Sequence, residues 1–328
     1  MIFFIVFLRF LAACLITNSH FTGGVYPTEL IANGGLLGDV IFFAVSGYCL
    51  YNPKKIFPLW YGKRLWRCYL PVLLITVVYM VFGFYSLDTH QFWWWYLWPT
   101  NYHFVASIVL LYVPFYVFMK VKPIQERIPL VMTIIAIAYL IVYIVAYDKS
   151  YYHIDTVREP MIEFLFMEAM LVGAWFKHKD EIFRNKFHWY IPVLTIVIAA
   201  LYFTSKFLFS KYEVLSIAQP INQLFLLIAL FFVFWTFSSL DGKLEKMPKW
   251  IKISITFISE MTLEIYVVQY VLIDVIRDLH FVFPLNWLLI LLSIVASATA
   301  LHYACKGIMF LFDLLISKIN HKEGRPAS

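Results

Sequence analysis

Apolar runs long enough to form membrane helices, separated by short polar stretches, occupy the chain almost from end to end. They fall at 2–21, 36–51, 69–86, 103–119, 129–147, 160–176, 189–205, 218–238, 254–274 and 285–305. A helix crosses the hydrocarbon core of a bilayer with about 20 residues. The pattern therefore predicts an all-α, polytopic membrane bundle of about ten transmembrane helices. The run at 36–51 is short and extends toward Asn33 or tilts little. The loops leave no room for a separate soluble domain, so 1–328 is expected to form a single integral-membrane domain. No internal repeat is visible.

Charge gives this picture a direction. Lys54, Lys55, Lys63, Arg64, Arg67, Lys120, Lys122, Arg127, Lys177, Lys179, Arg184 and Lys186 fall in or beside loops on one side of the alternation. Lys243, Lys246, Lys249, Lys252, Lys306, Lys318, Lys322 and Arg325 join them, making 20 of the 26 basic residues. Lys149, Arg158, Lys206, Lys211 and Arg277 make five on the other side. The excess marks the cytoplasmic side and predicts that both termini are cytoplasmic. Only 14% of the 328 residues are charged and 62% are hydrophobic, against about 25% charged in soluble domains. A single soluble domain is excluded, and the net charge of +6 is no nucleic-acid groove. Cys14, Cys49, Cys68 and Cys305 suggest neither a metal site nor a disulfide framework. Leu11-Ala12-Ala13-Cys14 resembles a lipoprotein cleavage box. However, Met1 to Leu8 has no basic residue and Arg9 interrupts the apolar stretch, so a retained first span is expected. The cluster Phe92-Trp93-Trp94-Trp95-Tyr96-Leu97-Trp98 falls at the outer interface, as an aromatic belt or a sugar-stacking platform.

An ionisable group inside a span is costly and marks a candidate site. Arg9 lies midway along the first run and His20 at its outer end, eleven residues apart. Eleven residues return a helix to within about 20° of the same face and rise about 16 Å. A fixed cation deep in the bundle and a titratable base near its outer end thus share one track. The plainer reading is a structural Arg with a carboxylate partner, for which Glu163, Glu168 and Glu264 are candidates, and an interfacial His. Asp39 stands at the outer entrance of the second span, where it orients or charges His20 or serves as a polar interface residue. Ser46-Gly47 lets helices approach closely. Arg64 and Arg67 are three apart on a helix start and face one way. Their guanidinium groups suit phosphate, although topology alone also places basic residues here.

These stretches, in this order, resemble the acyltransferase-3 family of integral-membrane acyltransferases. Arg9, ten residues and His20 match its first helix. Asp39, Phe42, Phe43, Ser46 and Gly47 match the second, and Arg64, Arg67 and Pro71 match the Arg-rich turn before a proline. Ile258 to Gln269 is similar to its late-helix segment, which often ends in His where this chain has Gln269. Many members carry a Glu on the fourth helix; here that region reads His103-Phe104-Val105-Ala106-Ser107-Ile108-Val109, with no carboxylate to take that role. His103 matches the His that begins this helix in another subset. The resemblance implies transfer of an acyl group, usually acetyl from acetyl-CoA, to a hydroxyl of a carbohydrate, in the bacterial cytoplasmic membrane.

The residues supply parts for that chemistry. A sugar hydroxyl is a poor nucleophile and benefits from a general base, most often His, which gives His20 that role with Asp39 beside it. An acyl-His20 intermediate is a variant. Arg9 would bind or polarise the donor, and Arg64, Arg67 and Ser46 would hold it at the cytoplasmic face. The acceptor would be a cell-surface or capsular polysaccharide or its lipid-linked precursor. No metal is expected, because no His-x-x-x-His pair appears among the nine histidines. No Gly-x-Ser-x-Gly elbow or phosphate loop appears either. The competing class is a non-enzymatic transporter of a lipid-linked sugar or small anion, with Arg9 on its pathway. Against it, the spans lack paired broken helices in matching halves. A different membrane acyltransferase family would want its His on a later helix.

Overall fold

The structure is a computed structural model and describes residues 2–96, 102–156 and 160–322, apart from the side chains of 313 and 315–322. Leu97, Trp98, Arg158 and Arg325, used above in the aromatic cluster and the charge alternation, lie outside the described residues. Among the described residues every regular element is helical. The chain runs through α1 (Phe3–Ser19), α2 (Gly35–Leu50), α3 (Phe57–Val81), α4 (Phe92–Tyr96) and α5 (His103–Lys120). It continues through α6 (Lys122–Gln125), α7 (Ile128–Ala146), α8 (Met161–His178), α9 (Asp180–Phe183) and α10 (Tyr190–Lys211). It ends with α11 (Pro220–Ser239), α12 (Asp241–Leu244), α13 (Lys249–Glu260), α14 (Thr262–Arg277) and α15 (Leu285–Lys322).

A helix occupies each apolar run, with two differences. The ninth run is divided at Met261 into α13 and α14. Near the break, the Ser259 hydroxyl donates to the Thr256 carbonyl and the Thr262 hydroxyl to the Ser259 carbonyl, both at 2.9 Å. Hydroxyls that take backbone carbonyls compete with the helical ladder. The third helix starts at Phe57, twelve residues before the apolar run, so Arg64 and Arg67 lie within it. It stops because Gly83 takes φ +78°, and the Phe84 amide bonds back to the Tyr79 carbonyl at 2.8 Å, a left-handed C-terminal cap. Seven helical segments of the described chain are long and apolar enough to cross a membrane, and α1 is a shorter apolar helix.

The core lies between α1, α2, α8, α11 and α14, with α8 buried almost throughout. At the outside of the bundle, α7 and α10 expose Ile134, Ile137, Ile141, Ile196, Val197 and Leu201. Such a surface suits acyl chains rather than water. A Cβ at Gly47 of α2 would overlap the Met170 carbonyl, and one at Gly173 of α8 the Ala44 carbonyl. The two backbones therefore touch, as small residues allow in membrane bundles. Phe43 stacks on Phe166 beside this contact, ring centroids 4.1 Å apart.

Loops at each end of the bundle bond among themselves. At the basic end, Tyr51 Oη meets His178 Nδ1 at 2.5 Å, the Gln125 amide donates to the Tyr51 carbonyl and Tyr116 to the Lys55 carbonyl. At the other end, the Asn18 amide donates to the carbonyls of Ile31 and Asn33, and Asn286 to that of Val25.

Buried Asp241 fixes the start of α1. Its Oδ1 accepts the Phe4 amide at 2.8 Å, and its Oδ2 accepts Arg184 Nε at 2.8 Å. The carboxylate thus satisfies a free N–H in the first turn, where negative charge is favoured. Asp241→Ala leaves the buried Phe4 amide without an acceptor and Arg184 with Asp180 alone, 3.6 Å away. It is expected to cost about 2 kcal/mol, seen as a lower thermal midpoint in detergent; an unchanged midpoint would show that α1 is anchored elsewhere.

Candidate active site

One helix carries the two ends of the site. Arg9 lies midway along α1, and His20 is its C-terminal cap, where its amide donates to the Thr17 carbonyl at 3.1 Å. Arg9 is half-buried and lies within the electrostatic reach of Cys49, Arg67, Glu264 and Glu260. Among the described residues it forms no hydrogen bond or ion pair. The two carboxylates within its reach, Glu264 and Glu260, are shared with other groups. Glu264 Oε1 meets His302 Nδ1 at 2.8 Å, and Glu260 lies 3.6 Å from Lys306. Glu163 accepts the Ser107 hydroxyl at 2.5 Å, and Glu168 is buried with Oε1 unpartnered. Of the three candidate partners for Arg9, only Glu264 comes near it, and His302 shares it.

Two more arginines face the same region. Arg67 interacts electrostatically with both Arg9 and Arg64. It is exposed and, among the described residues, has no ion pair. Arg64 folds onto its own helix: Nη1 donates to the Trp60 carbonyl at 2.7 Å, and the guanidinium carbon lies 4.0 Å from the Trp60 ring centroid. This cation–π contact leaves Arg64 Nε buried and without a partner. Tyr112 lies within the electrostatic reach of Arg64 and close to Ser46. Arg9 of α1, Ser46 of α2, and Arg64 and Arg67 of α3 are thus linked electrostatically, with α2 and α3 joined by the short loop 51–56. Three cations with no carboxylate of their own repel one another, and an anion bound among them would relieve that repulsion.

At the far end of α1, the His20 ring packs edge-on against Tyr270 at 4.8 Å. Neither ring nitrogen has a hydrogen-bond partner among the described residues. Asp39 is buried in the first turns of α2 and acts electrostatically on the hydroxyls of Tyr202, Tyr266 and Tyr270. No hydrogen bond or ion pair joins Asp39 to His20 among the described residues. Tyr270 instead contacts one and feels the charge of the other. Residue types alone did not mark this tyrosine set. Tyr102 donates to the Val267 carbonyl, Tyr79 to that of Val268, and Tyr85 and Tyr102 share a 2.9 Å bond. Only the Tyr266–Tyr270 spacing on one helix hinted at it. Trp95 is committed too, stacked on Tyr85 at 4.3 Å with its Nε1 donating to the Ser86 carbonyl. Gln269, where family members often have His, is buried with both amide atoms unpartnered.

The family model for an acyltransferase domain of the acyltransferase-3 type matches residues 2–305. The chain belongs to the acyltransferase-3 family. As a member it is a membrane acyltransferase, and the match spans the helices that carry the arginines, His20 and Asp39. No curated protein and no solved structure matches the chain.

Proposed function

We propose that this acyltransferase moves an acyl group, acetyl in the simplest case, from an acyl-CoA thioester to a hydroxyl of a cell-surface or capsular polysaccharide or its lipid-linked precursor. The observation that carries this reading is the unpaired guanidinium of Arg9, midway along α1 and within electrostatic reach of Arg67, while His20 stands with unpartnered ring nitrogens at the C-terminal end of the same helix. Arg64, Arg67 and Ser46 hold the CoA phosphates at the cytoplasmic face, where CoA is found. Guanidinium forks suit phosphate oxygens, and three unpaired cations have no internal anion to lose when the donor binds. The pantetheine arm enters along α1, and Arg9 binds the donor part-way along it, about 16 Å short of His20. His20 takes the proton of the acceptor hydroxyl as its oxygen forms the new ester bond. The carbon–sulfur bond breaks, and the CoA thiolate takes up a proton. Asp39 acts on His20 through Tyr270 rather than by direct contact.

The cationic end has its own test. In membrane vesicles supplied with labelled acetyl-CoA, Arg64→Gln and Arg67→Gln are each expected to raise the donor KM by about tenfold, the effect of losing one charge-assisted phosphate contact. The maximal rate should fall much less, because uniform binding is lost rather than transition-state binding. An unchanged donor KM in both variants would discard the assignment of these residues.

A further inference from the structure

Away from the arginines, a cleft of about 660 Å³ opens between the loop Thr28–Asn33 and the last turns of α10. Small-molecule sites span roughly 300–1,000 Å³. The rim is apolar and open: Leu30 is 76% exposed, Ile31 51% and Phe207 52%. Within it stand Glu29, Asn33, Lys206 and Ser210. Lys206 Nζ lies 3.4 Å from Asp155. An ammonium has three donors, so the pair is balanced in charge yet leaves N–H groups for a ligand. Phe203 and Phe207, four residues apart, present their rings on one face of α10. Donors on Lys206 and Asn33 and the acceptor carboxylate of Glu29, beside phenyl faces, suit a sugar, whose hydroxyls need donors and acceptors and whose C–H face packs on aromatic rings. Lys211, its Nζ 5.7 Å from the Phe207 ring, adds an exposed cation at the end of α10. Further along the same helix Ile196, Val197 and Leu201 face outward, a surface for hydrocarbon.

The cleft is tied to His20 through two routes. Asn18, two residues before His20, bonds the Ile31 and Asn33 carbonyls at 2.7 and 3.0 Å. Tyr202, next to Phe203, is fully buried with an unpartnered hydroxyl and feels the Asp39 carboxylate. Asp39 also acts on Tyr270, on which His20 packs.

We infer that this cleft admits the acceptor, and that the acceptor is a saccharide carried on a lipid phosphate. Its hydrocarbon chain lies along α10 in the bilayer, and its phosphate and the sugar that follows lie between the 28–33 loop and Lys206. The inference rests on the acyltransferase reading of His20, and its test requires no acyl transfer. Ser210→Cys, in full-length protein with the exposed Cys14 and Cys49 replaced by Ser, is labelled with an environment-sensitive fluorophore and placed in nanodiscs. A polyprenyl-phosphate-linked oligosaccharide is expected to give a saturable emission shift. The same oligosaccharide released from its carrier, and nanodiscs enriched in phosphatidylglycerol, are expected to give none. Lys206→Gln should weaken the apparent affinity by about tenfold. Phe207→Ala, which spares the Lys206–Asp155 pair, should weaken it by about fivefold. His20→Ala should leave the shift intact, which separates failure of the cleft from failure of the enzyme reading. Absence of a saturable shift, or an equal shift with the released sugar or with phosphatidylglycerol, would overturn the proposal.

Discussion

His20→Ala is expected to lower acyl transfer from labelled acetyl-CoA into polysaccharide by about a hundred- to ten-thousandfold, the range a positioned general base contributes. Protein level in the membrane should be unchanged. Little of the fold depends on this side chain: its ring touches Tyr270, and its nitrogens bond nothing among the described residues. Its backbone amide, which caps α1 through the Thr17 carbonyl, survives the substitution. Loss of rate therefore reports chemistry rather than folding. Tyr270→Phe keeps the ring against His20 and removes the hydroxyl that feels Asp39, so it should cost far less than His20→Ala. Full acetylation by His20→Ala would end the general-base assignment and the acyl-His20 variant together.

The sequence made α1 legible because the exception was local. One arginine in an apolar run, and a histidine on the same face, need only helical geometry to be related. Most of the helices were legible for the same reason, since a span is written in contiguous residues. What was not legible depends on contacts between distant segments. The carboxylates near Arg9 could be counted, yet nothing local said that Glu264 is held by His302, 38 residues on. Asp39 was expected beside His20 because both stand at the same end of neighbouring helices, but the angular setting of α14 puts Tyr270 against His20. The division of the ninth run at Met261 was hidden because both sides of it are apolar. Hydroxyl-to-carbonyl bonds at Ser259 and Thr262 flank it, and a hydropathy pattern does not register them. Ser46-Gly47 announced a close helix approach, but not that Gly173 answers it from α8.

That reciprocal contact gives the largest expected effect on stability. Gly→Ala within a helix ordinarily stabilises by about 0.5–1 kcal/mol, because alanine loses less backbone freedom on folding. At Gly62 and Gly307 nothing lies within 4 Å of an added Cβ, and alanine there should be neutral or mildly stabilising. Gly173→Ala should have the opposite sign. Its Cβ would overlap the Ala44 carbonyl, and because both groups belong to backbone, no rotamer change relieves the clash. α2 and α8 must separate, which strips contacts from the stacked pair Phe43 and Phe166 and opens space at the centre of the core. The interior cannot refill such space without strain. Overpacking against rigid backbone, with the packing lost around it, should exceed about 4 kcal/mol. Gly47→Ala meets the Met170 carbonyl in the same way and should behave alike. Both variants are expected to lose the monodisperse peak in detergent size-exclusion chromatography, while Gly62→Ala and Gly307→Ala keep it. If Gly173→Ala keeps the midpoint of Gly62→Ala, the two helices do not meet backbone to backbone. The depth at which α2 carries Ser46 toward the arginines would then be set by other contacts, such as the bond from Tyr48 to Asp180 at 2.7 Å.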